Sequence, residues 1–565
     1  MSSFKKEVVS LLSETTEVPP EEIASRLEYP PDESFGDLAF PCHLLSKRLK
    51  KPPQAIASEL AGRLSPRASI DRIAATGPYL NFFADPAILA TEVVSSIISQ
   101  AEDFGLSDEG RGKIIVIDFS SPNIAKPFGV GHLRTTVLGN ALYHIFSKLG
   151  YKLVRVNHLG DWGTQFGKLI TAFKLWGDEA RLEKDPIGEL YDLYVEFHKR
   201  AETDSSLEEK AREEFRKLEK GEAEASELWR RFKDLSLQDF DRIYRMLGIE
   251  FDSYAGESFY NPYIDKTIEA LKSAGLTRVS EDALIVDLEK YGMPPCLLKK
   301  RDEATLYATR DIAAAIYRYE TYKFHKNLYV VGSAQRLHFQ QVFKVLELMG
   351  YPWSKDCHHI ELGWIKFEKG AMSTRKGNIV FLEDVLSKSV ELVKSIIEEK
   401  NPTLEDQDRV ARQVGVGAVV FWDLSARRNK DINFSWEEAL NFEGQTGPYL
   451  QYTHARLASV MRRYGEPLPA HPDLSLLSGA QEQKVIMLLS RFPEHLQRAA
   501  FDYEPYHLVS YLLELASAFN SFYQSQRILC EDSNLRSARV SLAEATWTVL
   551  KEGLRLLGME SPESM

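Results

Sequence analysis

The sequence predicts an α/β protein: a central domain built on a parallel sheet and carrying a helical insertion, with a small α+β domain before it and an all-α helical bundle after it. Three observations predict this. The run KIIVIDF at 113–119 is apolar along nearly its whole length, as a strand buried on both faces of a parallel sheet must be. Strand, helix and strand patterns follow one another there within about forty residues. Beyond about residue 390 the periodicity is almost wholly helical to Met565. At 565 residues the chain is also too long for one hydrophobic core.

Residues 1–105 form the expected first domain. Helical periodicity is interrupted there by a loop, FGDLAFPC around Gly36 and Asp37, and by a strand-like run, ATGPYLNFFAD around Tyr79 to Phe83. The second domain, 111–390, opens after the polar turn SDEGRG, Ser107 to Gly112. Pro122 and Pro127 break the chain before the helical run GHLRTTVLGNALYHIFSKLG, and YKLVRVNH from Tyr151 supplies the next strand. Such a βαβ unit is the building block of Rossmann-type nucleotide-binding sheets. From about 174 to 247 the chain turns charged and helix-rich, with alternating signs that favour (i, i+4) pairing, and it reads as an insertion. Sheet-like segments return at ALIVDL, LYVVGS and ELGWIKF and close the same domain, Leu328 to Ser333 being the expected second central parallel strand. The third domain, 391–565, reads as a helical bundle with Pro and Gly confined to breaks such as GEPLPAHPD.

No run approaches about 18 consecutive apolar residues, and the N-terminus reads as an amphipathic helix, so neither a membrane span nor a signal peptide is expected and the compartment is the cytoplasm. Cys42, Cys296, Cys357 and Cys530 are scattered without a C-x-x-C pair, which argues against a disulfide framework and a zinc knuckle. No tightly bound metal is expected. A net charge of −12 does not exclude a nucleic-acid partner, because binding depends on where the basic groups lie. Basic clusters stand at Lys47, Arg48, Lys50 and Lys51, at Arg427, Arg428 and Lys430, and at Arg462 and Arg463; a solvated helix face accounts for each of them as well.

The chemistry concentrates between the first strand and its helix, in DFSSPNIAKPFGVGHLR, Asp118 to Arg134. A helix N-terminus offers free N–H groups and about half a positive charge, so phosphate is favoured there, and Gly129 and Gly131 leave room for it. Lys126 and His132 are candidate donors to phosphate oxygens as charge builds in a transition state. The bland alternative is a tight turn with a packed histidine. A second candidate is KGAMSTRKGN, Lys369 to Asn378, where Met372, Ser373 and Thr374 precede the cations Arg375 and Lys376. Small cationic loops of this kind fold over phosphates, although alone this one is also a solvated turn.

Together, S-P-N-x-A-K-P-F-x-V-G-H-L-R and the downstream M-S-T-R-K-G resemble the two signatures of class I aminoacyl-tRNA synthetases in their arginine-specific form. Asn157 to Gly163, Tyr307 to Asp311 and Gly447 to Tyr452 resemble the same family in the same order, over about 35–565. The resemblance implies an aminoacyl-tRNA ligase: ATP, accompanied by Mg2+, activates L-arginine as its adenylate, and the arginyl group passes to the 3′ end of tRNA-Arg. It also implies a cytoplasmic monomer without a membrane partner. ATP would meet Gly129, Gly131, His132 and residues Met372, Ser373, Thr374, Arg375 and Lys376, with Lys126 joining the catalytic set. Arginine would meet Ser121 and Asn123 at its backbone end, with Gln335 nearby, and Tyr307 with Asp311 at its guanidinium, Asp118 joining the same arginine-binding set. Physics supports the last assignment, since a planar cation with five donors is best received by a carboxylate. The helical run after Asp311 leaves a helix N-cap open for it as well. The first domain would touch the tRNA elbow and the bundle would read the anticodon, with Tyr449, Gln451, Tyr452 and Arg456 on the RNA surface. Trp422 and Tyr464 are further stacking platforms, and all of these aromatic rings also fit core positions.

Three positions depart from the family pattern. Gly129 stands where H-x-G-H has its first histidine, Ala371 where K-M-S-K-S has its first lysine, and Asp118 where a glutamate is frequent. Loss of one transition-state donor typically lowers the rate about 10²- to 10³-fold. Lys126, three residues upstream of Gly129, is the expected compensator. The alternative reading is a catalytically impaired paralogue that acts as an RNA-binding or arginine-sensing regulator, and a lysine or glutamine enzyme of the same class is a further competitor.

Overall fold

The computed structural model describes residues 3–299, 307–367, 380–439 and 444–565. In the first domain Leu38–Pro41, Tyr79–Ala84 and Ile70–Thr76 make an antiparallel sheet with Tyr79–Ala84 at its centre. Helix Pro86–Gln100 leads out of it, its first turn capped by Asp85, whose carboxylate accepts from the N–H groups of Ala87 and Ile88.

The second domain is organised by four parallel strands in the spatial order Cys357–Leu362, Lys326–Gly332, Ile114–Asp118, Lys152–Val156. Ile115 and Ile117 enter one hydrophobic cluster and Val116 another, so the central strand alternates between two dry faces. The chain first lays Lys152–Val156 on one side of Ile114–Asp118 and later returns to its other side with Lys326–Gly332. At that reversal, the carboxyl ends of the two central strands bound the crevice where open α/β sheets take their ligands.

The helices Glu179–Lys184, Pro186–Ala201, Ser206–Glu219 and Ala223–Leu247 occupy the expected insertion. ALIVDL is a strand as expected, but not of the parallel sheet. Ala283–Val286 pairs with Thr277–Ser280 and Cys296–Lys299 in a separate three-stranded antiparallel sheet. Its hairpin turns through Glu281 and Asp282, both at positive φ (49° and 61°), a geometry that a Glu-Asp pair does not announce in sequence. ELGWIKF divides as well: Cys357–Leu362 forms the edge of the parallel sheet, whereas Ile365–Phe367 pairs in parallel with Ile432–Phe434. The expected domain edge at 390 falls inside the helix Leu382–Lys400.

The bundle comprises Gln407–Leu424, Gly447–Tyr464, Ala480–Phe501, Tyr506–Ser525 and Ser533–Leu556. Two buried ion pairs fasten it to the helix Leu133–Lys148 of the α/β domain: Arg134 Nε lies 3.0 Å from Asp423 Oδ1, and Lys148 Nζ lies 2.9 Å from Glu552 Oε1. The first domain reaches the bundle through Lys5 Nζ and Tyr29 OH, which donate to Glu494 at 2.7 and 2.9 Å. Among the described residues no helix is long and apolar enough to cross a membrane.

Candidate active site

The helix Leu133–Lys148 begins at the crevice, behind the 3-10 turn Val130–His132. The segment leading into it is strained. Ser120, Ser121 and Ala125 take positive φ of 69°, 50° and 58°. Each such residue costs on the order of 1–3 kcal/mol and persists only where its surroundings over-determine it. Here a buried network does so. Ser120 Oγ lies 2.8 Å from Tyr244 OH, Thr136 Oγ1 donates to Ser120 Oγ at 2.9 Å, and Asn157 Nδ2 donates to Tyr244 OH at 2.9 Å. Asn157 Oδ1 accepts the Ser121 N–H at 3.2 Å, and the Ala125 N–H donates to Ser236 Oγ on the insertion at 2.8 Å. Asn123 bridges to Gly160, where an added β-carbon would come within 2.1 Å of Asn123 Oδ1, so this approach needs a glycine.

Lys126 Nζ stands 5.0 Å over the ring of Tyr194, which also belongs to the insertion. The His132 ring packs against Phe128, centroids 5.2 Å apart, and keeps partial exposure. Burial drives its pKa down to about 4, with Lys126 adding to the shift and a bond to the Gly129 backbone opposing it. At neutral pH His132 is therefore an uncharged imidazole with one N–H donor. Gly129 is buried and Gly131 exposed.

Met372, Ser373, Thr374, Arg375 and Lys376 lie outside the described residues, but both flanks of their segment are described. Before it, Ile365–Phe367 pairs with Ile432–Phe434, and the Trp364 N–H donates to Asp431 Oδ1 at 2.8 Å. After it, the Val130 N–H donates to the Val380 carbonyl and the Leu382 N–H to the Phe128 carbonyl, both at 2.9 Å. Backbone pairing thus stitches the chain that follows the second motif onto the glycine turn of the first.

An acidic pocket lies beside this turn. Asp118 ends the central strand, its Oδ2 accepting from Arg318 Nη2 at 2.7 Å and its Oδ1 from Ser121 Oγ at 2.8 Å. Arg318 is buried, and the pair fixes Asp118 from behind. Asp311 Oδ2 lies 2.5 Å from His338 Nε2, and Oδ1 lies 3.7 Å from His158 Nε2. This is no N-cap: Asp311 stands within the helix Tyr307–Tyr322 and its side chain leaves that helix for His338. Burial alone would raise its carboxyl, but the His338 bond, reinforced by the charges of His338, His158 and Arg318, holds it below its ordinary value. Tyr307, 54% exposed, starts the same helix, and Gln335 is exposed in the turn Ser333–Gln335 at the end of Lys326–Gly332.

Glu257 was not legible in the sequence. Its Oε2 is buried and has no hydrogen-bond partner among the described residues. Burial pushes its pKa up to about 8; Arg310 opposes this, while Asp311 and Asp161 add to it. The negative charge of Asp311 thus disfavours ionisation of Glu257, and a cation arriving between them would favour it. Glu257 stands in the irregular run SYAGESFY, where no periodicity marks it. Arg318 and His338 were missed for the related reason that both read as ordinary helix residues, whereas His158 sits inside the NHLGDWG motif.

The residues expected to meet RNA divide. Gln451 is fully buried, its Nε2 donating to the carbonyls of Gln413 and Glu560 at 3.0 and 2.8 Å, so it binds the bundle interior instead of facing solvent. Tyr449 OH accepts from Asn520 Nδ2 at 3.0 Å. Tyr452 is 48% exposed, with the Arg456 guanidinium 4.9 Å over its ring.

Three family models match the chain: class I tRNA synthetases (R), catalytic domain, at 93–436; the DALR anticodon binding domain at 450–565; and the arginyl tRNA synthetase N terminal domain at 2–84. Curated relatives named arginine–tRNA ligase include those of Clostridioides difficile, 49% identical over 566 residues, and Halothermothrix orenii, 48% identical; both alignments cover 100% of each chain. Among solved structures, the chain is similar to the Thermus thermophilus arginyl-tRNA synthetase, with a TM-score of 0.84, 26% identity and coverage of 99% of this chain and 100% of that one. It shares its fold with the Plasmodium falciparum enzyme, with a TM-score of 0.82, 23% identity and complete coverage of both chains.

Proposed function

The chain belongs to the class I arginyl-tRNA synthetases, and from that premise we propose how its residues divide the work. It is an aminoacyl-tRNA ligase: it activates L-arginine with ATP and transfers the arginyl group to the 3′ end of tRNA-Arg. In the first step a carboxylate oxygen of arginine bonds to the α-phosphorus while the bond to the pyrophosphate oxygen breaks. In the second, the terminal ribose hydroxyl of the tRNA attacks the carbonyl and AMP leaves with the bonding pair. Neither step requires a covalent protein nucleophile, so catalysis rests on positioning and charge stabilisation.

Gly129, Gly131 and the helix start hold the triphosphate, which brings Mg2+ with it, since that ion keeps phosphate and water ligands. Lys126, His132, Arg375 and Lys376 stabilise the charge that develops on the leaving pyrophosphate, and Met372, Ser373 and Thr374 contribute to ATP binding. Ser121, Asn123 and Gln335 orient the arginine backbone, with Asp118 holding Ser121. Tyr307, Asp311 and Glu257 receive the guanidinium. The first domain meets the tRNA elbow, and the bundle reads the anticodon with Tyr452 and Arg456 among its contacts. The enzyme works as a monomer in the cytoplasm.

One observation supports this reading most: the pairing of Phe128 and Val130 with Leu382 and Val380, which joins the chain that follows the second signature to the glycine turn of the first. ATP–pyrophosphate exchange in the presence of tRNA-Arg tests it. Exchange is expected with arginine and not with lysine or glutamine. RNA binding without exchange would instead support the regulator that Gly129 suggests.

A further inference from the structure

We propose that His338 is a positioning residue that presents Asp311 to the arginine guanidinium. The proposal rests on the reading of Asp311 as the guanidinium receptor. Three elements converge on this carboxylate: its own helix Tyr307–Tyr322, the helix Arg336–Leu348 that carries His338, and the loop that carries His158 after the strand Lys152–Val156. Side chains three and four apart share a helix face, so Tyr307 and Asp311 make one wall of the pocket, while Gln335 and His338 stand together at the start of the next helix.

An ionised carboxylate only accepts, so His338 Nε2, 2.5 Å from Oδ2, must carry the proton of that bond. His158 is oriented differently. Its Nδ1 lies 3.4 Å from Arg318 Nη2, a group that can only donate, so Nδ1 is the acceptor and Nε2 bears hydrogen. That Nε2 remains 3.7 Å from Asp311 Oδ1, too far for a hydrogen bond. One carboxylate oxygen is therefore pinned and the other is left for a ligand, and the Asp311 side chain keeps 20% of its surface open.

A carboxylate turns readily about its terminal torsion, which is broad and roughly two-fold. Without His338, Asp311 would rotate toward His158 and Arg318, the cationic and donor groups behind it, and the open oxygen would be lost. The open oxygen meets a planar guanidinium N–H only while the carboxylate is held in that orientation, so arginine is the ligand that should register the loss. The effect of His338 reaches arginine through Asp311, the carboxylate it holds.

The test compares His338→Leu, His338→Gln and Asp311→Asn in ATP–pyrophosphate exchange with tRNA-Arg present. His338→Leu is expected to raise KM for arginine roughly tenfold or more, as loss of a charge-assisted hydrogen bond would, with much smaller changes in KM for ATP and in kcat. His338→Gln, whose amide nitrogen can reach the Nε2 position, should recover most of the loss. Asp311→Asn should raise KM for arginine by itself. If Asp311→Asn does so and His338→Leu does not, or if Gln fails to rescue, the positioning role is overturned while the guanidinium assignment stands. If Asp311→Asn leaves KM for arginine unchanged, the assignment of Asp311 fails first. Equal damage to both Michaelis constants and to the melting temperature in His338→Leu would overturn the proposal in favour of a purely structural role.

Discussion

Arg134 Nε and Asp423 Oδ1 meet at 3.0 Å with each side chain only 3% exposed, although the two atoms are not aligned as a hydrogen bond. The other guanidinium nitrogens of Arg134 donate to the carbonyls of Lys430 at 2.6 Å and Arg427 at 3.4 Å. One buried arginine thus ties the first turn of the phosphate-side helix to the segment that goes on to pair with Ile365–Phe367.

Breaking this pair should cost stability in a pH-dependent way. Burial raises the Asp423 carboxyl from 3.8 to about 6, with Arg134 opposing. The folded state then holds this proton more tightly than the unfolded state, so the contribution favours folding below about pH 4 and is lost as pH rises toward 6. Urea unfolding of Asp423→Asn should lack that slope. Arg134→Met leaves a buried charge unpaired and should lose about 3–5 kcal/mol at pH 7.

Arginine affinity should depend on pH through Glu257. With its pKa raised to about 8, Glu257 is mostly protonated at pH 7, and a bound guanidinium favours the ionised form. Binding therefore releases a proton, and KM for arginine should fall by up to about fivefold as pH rises from 7 to 8. Glu257→Gln should raise KM and flatten its pH profile. A profile in the variant as steep as in the parent would remove Glu257 from the pocket.

Lys126→Ala should lower the exchange rate about 10²-fold or more if Lys126 replaces the donor missing at Gly129. The double variant Lys126→Ala with Gly129→His should regain part of it. Near-parental exchange in the single variant would mean that charge is stabilised elsewhere.

Tyr244→Phe should loosen the strained turn. It leaves Asn157 Nδ2 and Ser120 without their shared partner, and orphaned buried polar groups cost about 1–3 kcal/mol. Thermal melts should show that loss, together with a rise in KM for arginine, because the loosened turn carries Ser121, whose N–H is held by Asn157.

Much of this molecule was legible in one dimension. The βαβ unit from 113 to 156, the charged insertion and the helical bundle all follow from periodicity, because an element's own residues set its period. The motifs were legible for the same reason: Asp118 to His132 is a contiguous run. That ALIVDL forms a strand was legible as well, but its pairing was not, because an apolar run of four residues carries no record of its partner, and Glu281–Asp282 does not look like a hairpin turn.

By itself the sequence determined the family, the order of the domains and the chemistry of the glycine turn. Only the tertiary structure decided which charges meet. Arg318 stands 200 residues from the Asp118 it pairs with, and Asp311 stands 27 residues from His338. Glu257 joins Asp311 from the start of the 3-10 helix Glu257–Tyr263, and Gln451 is drawn into the bundle by the carbonyl of Glu560, 109 residues away. Local propensity sums over neighbours in the chain, whereas burial and hydrogen-bond satisfaction are settled when distant segments pack, so these partnerships had no local signature.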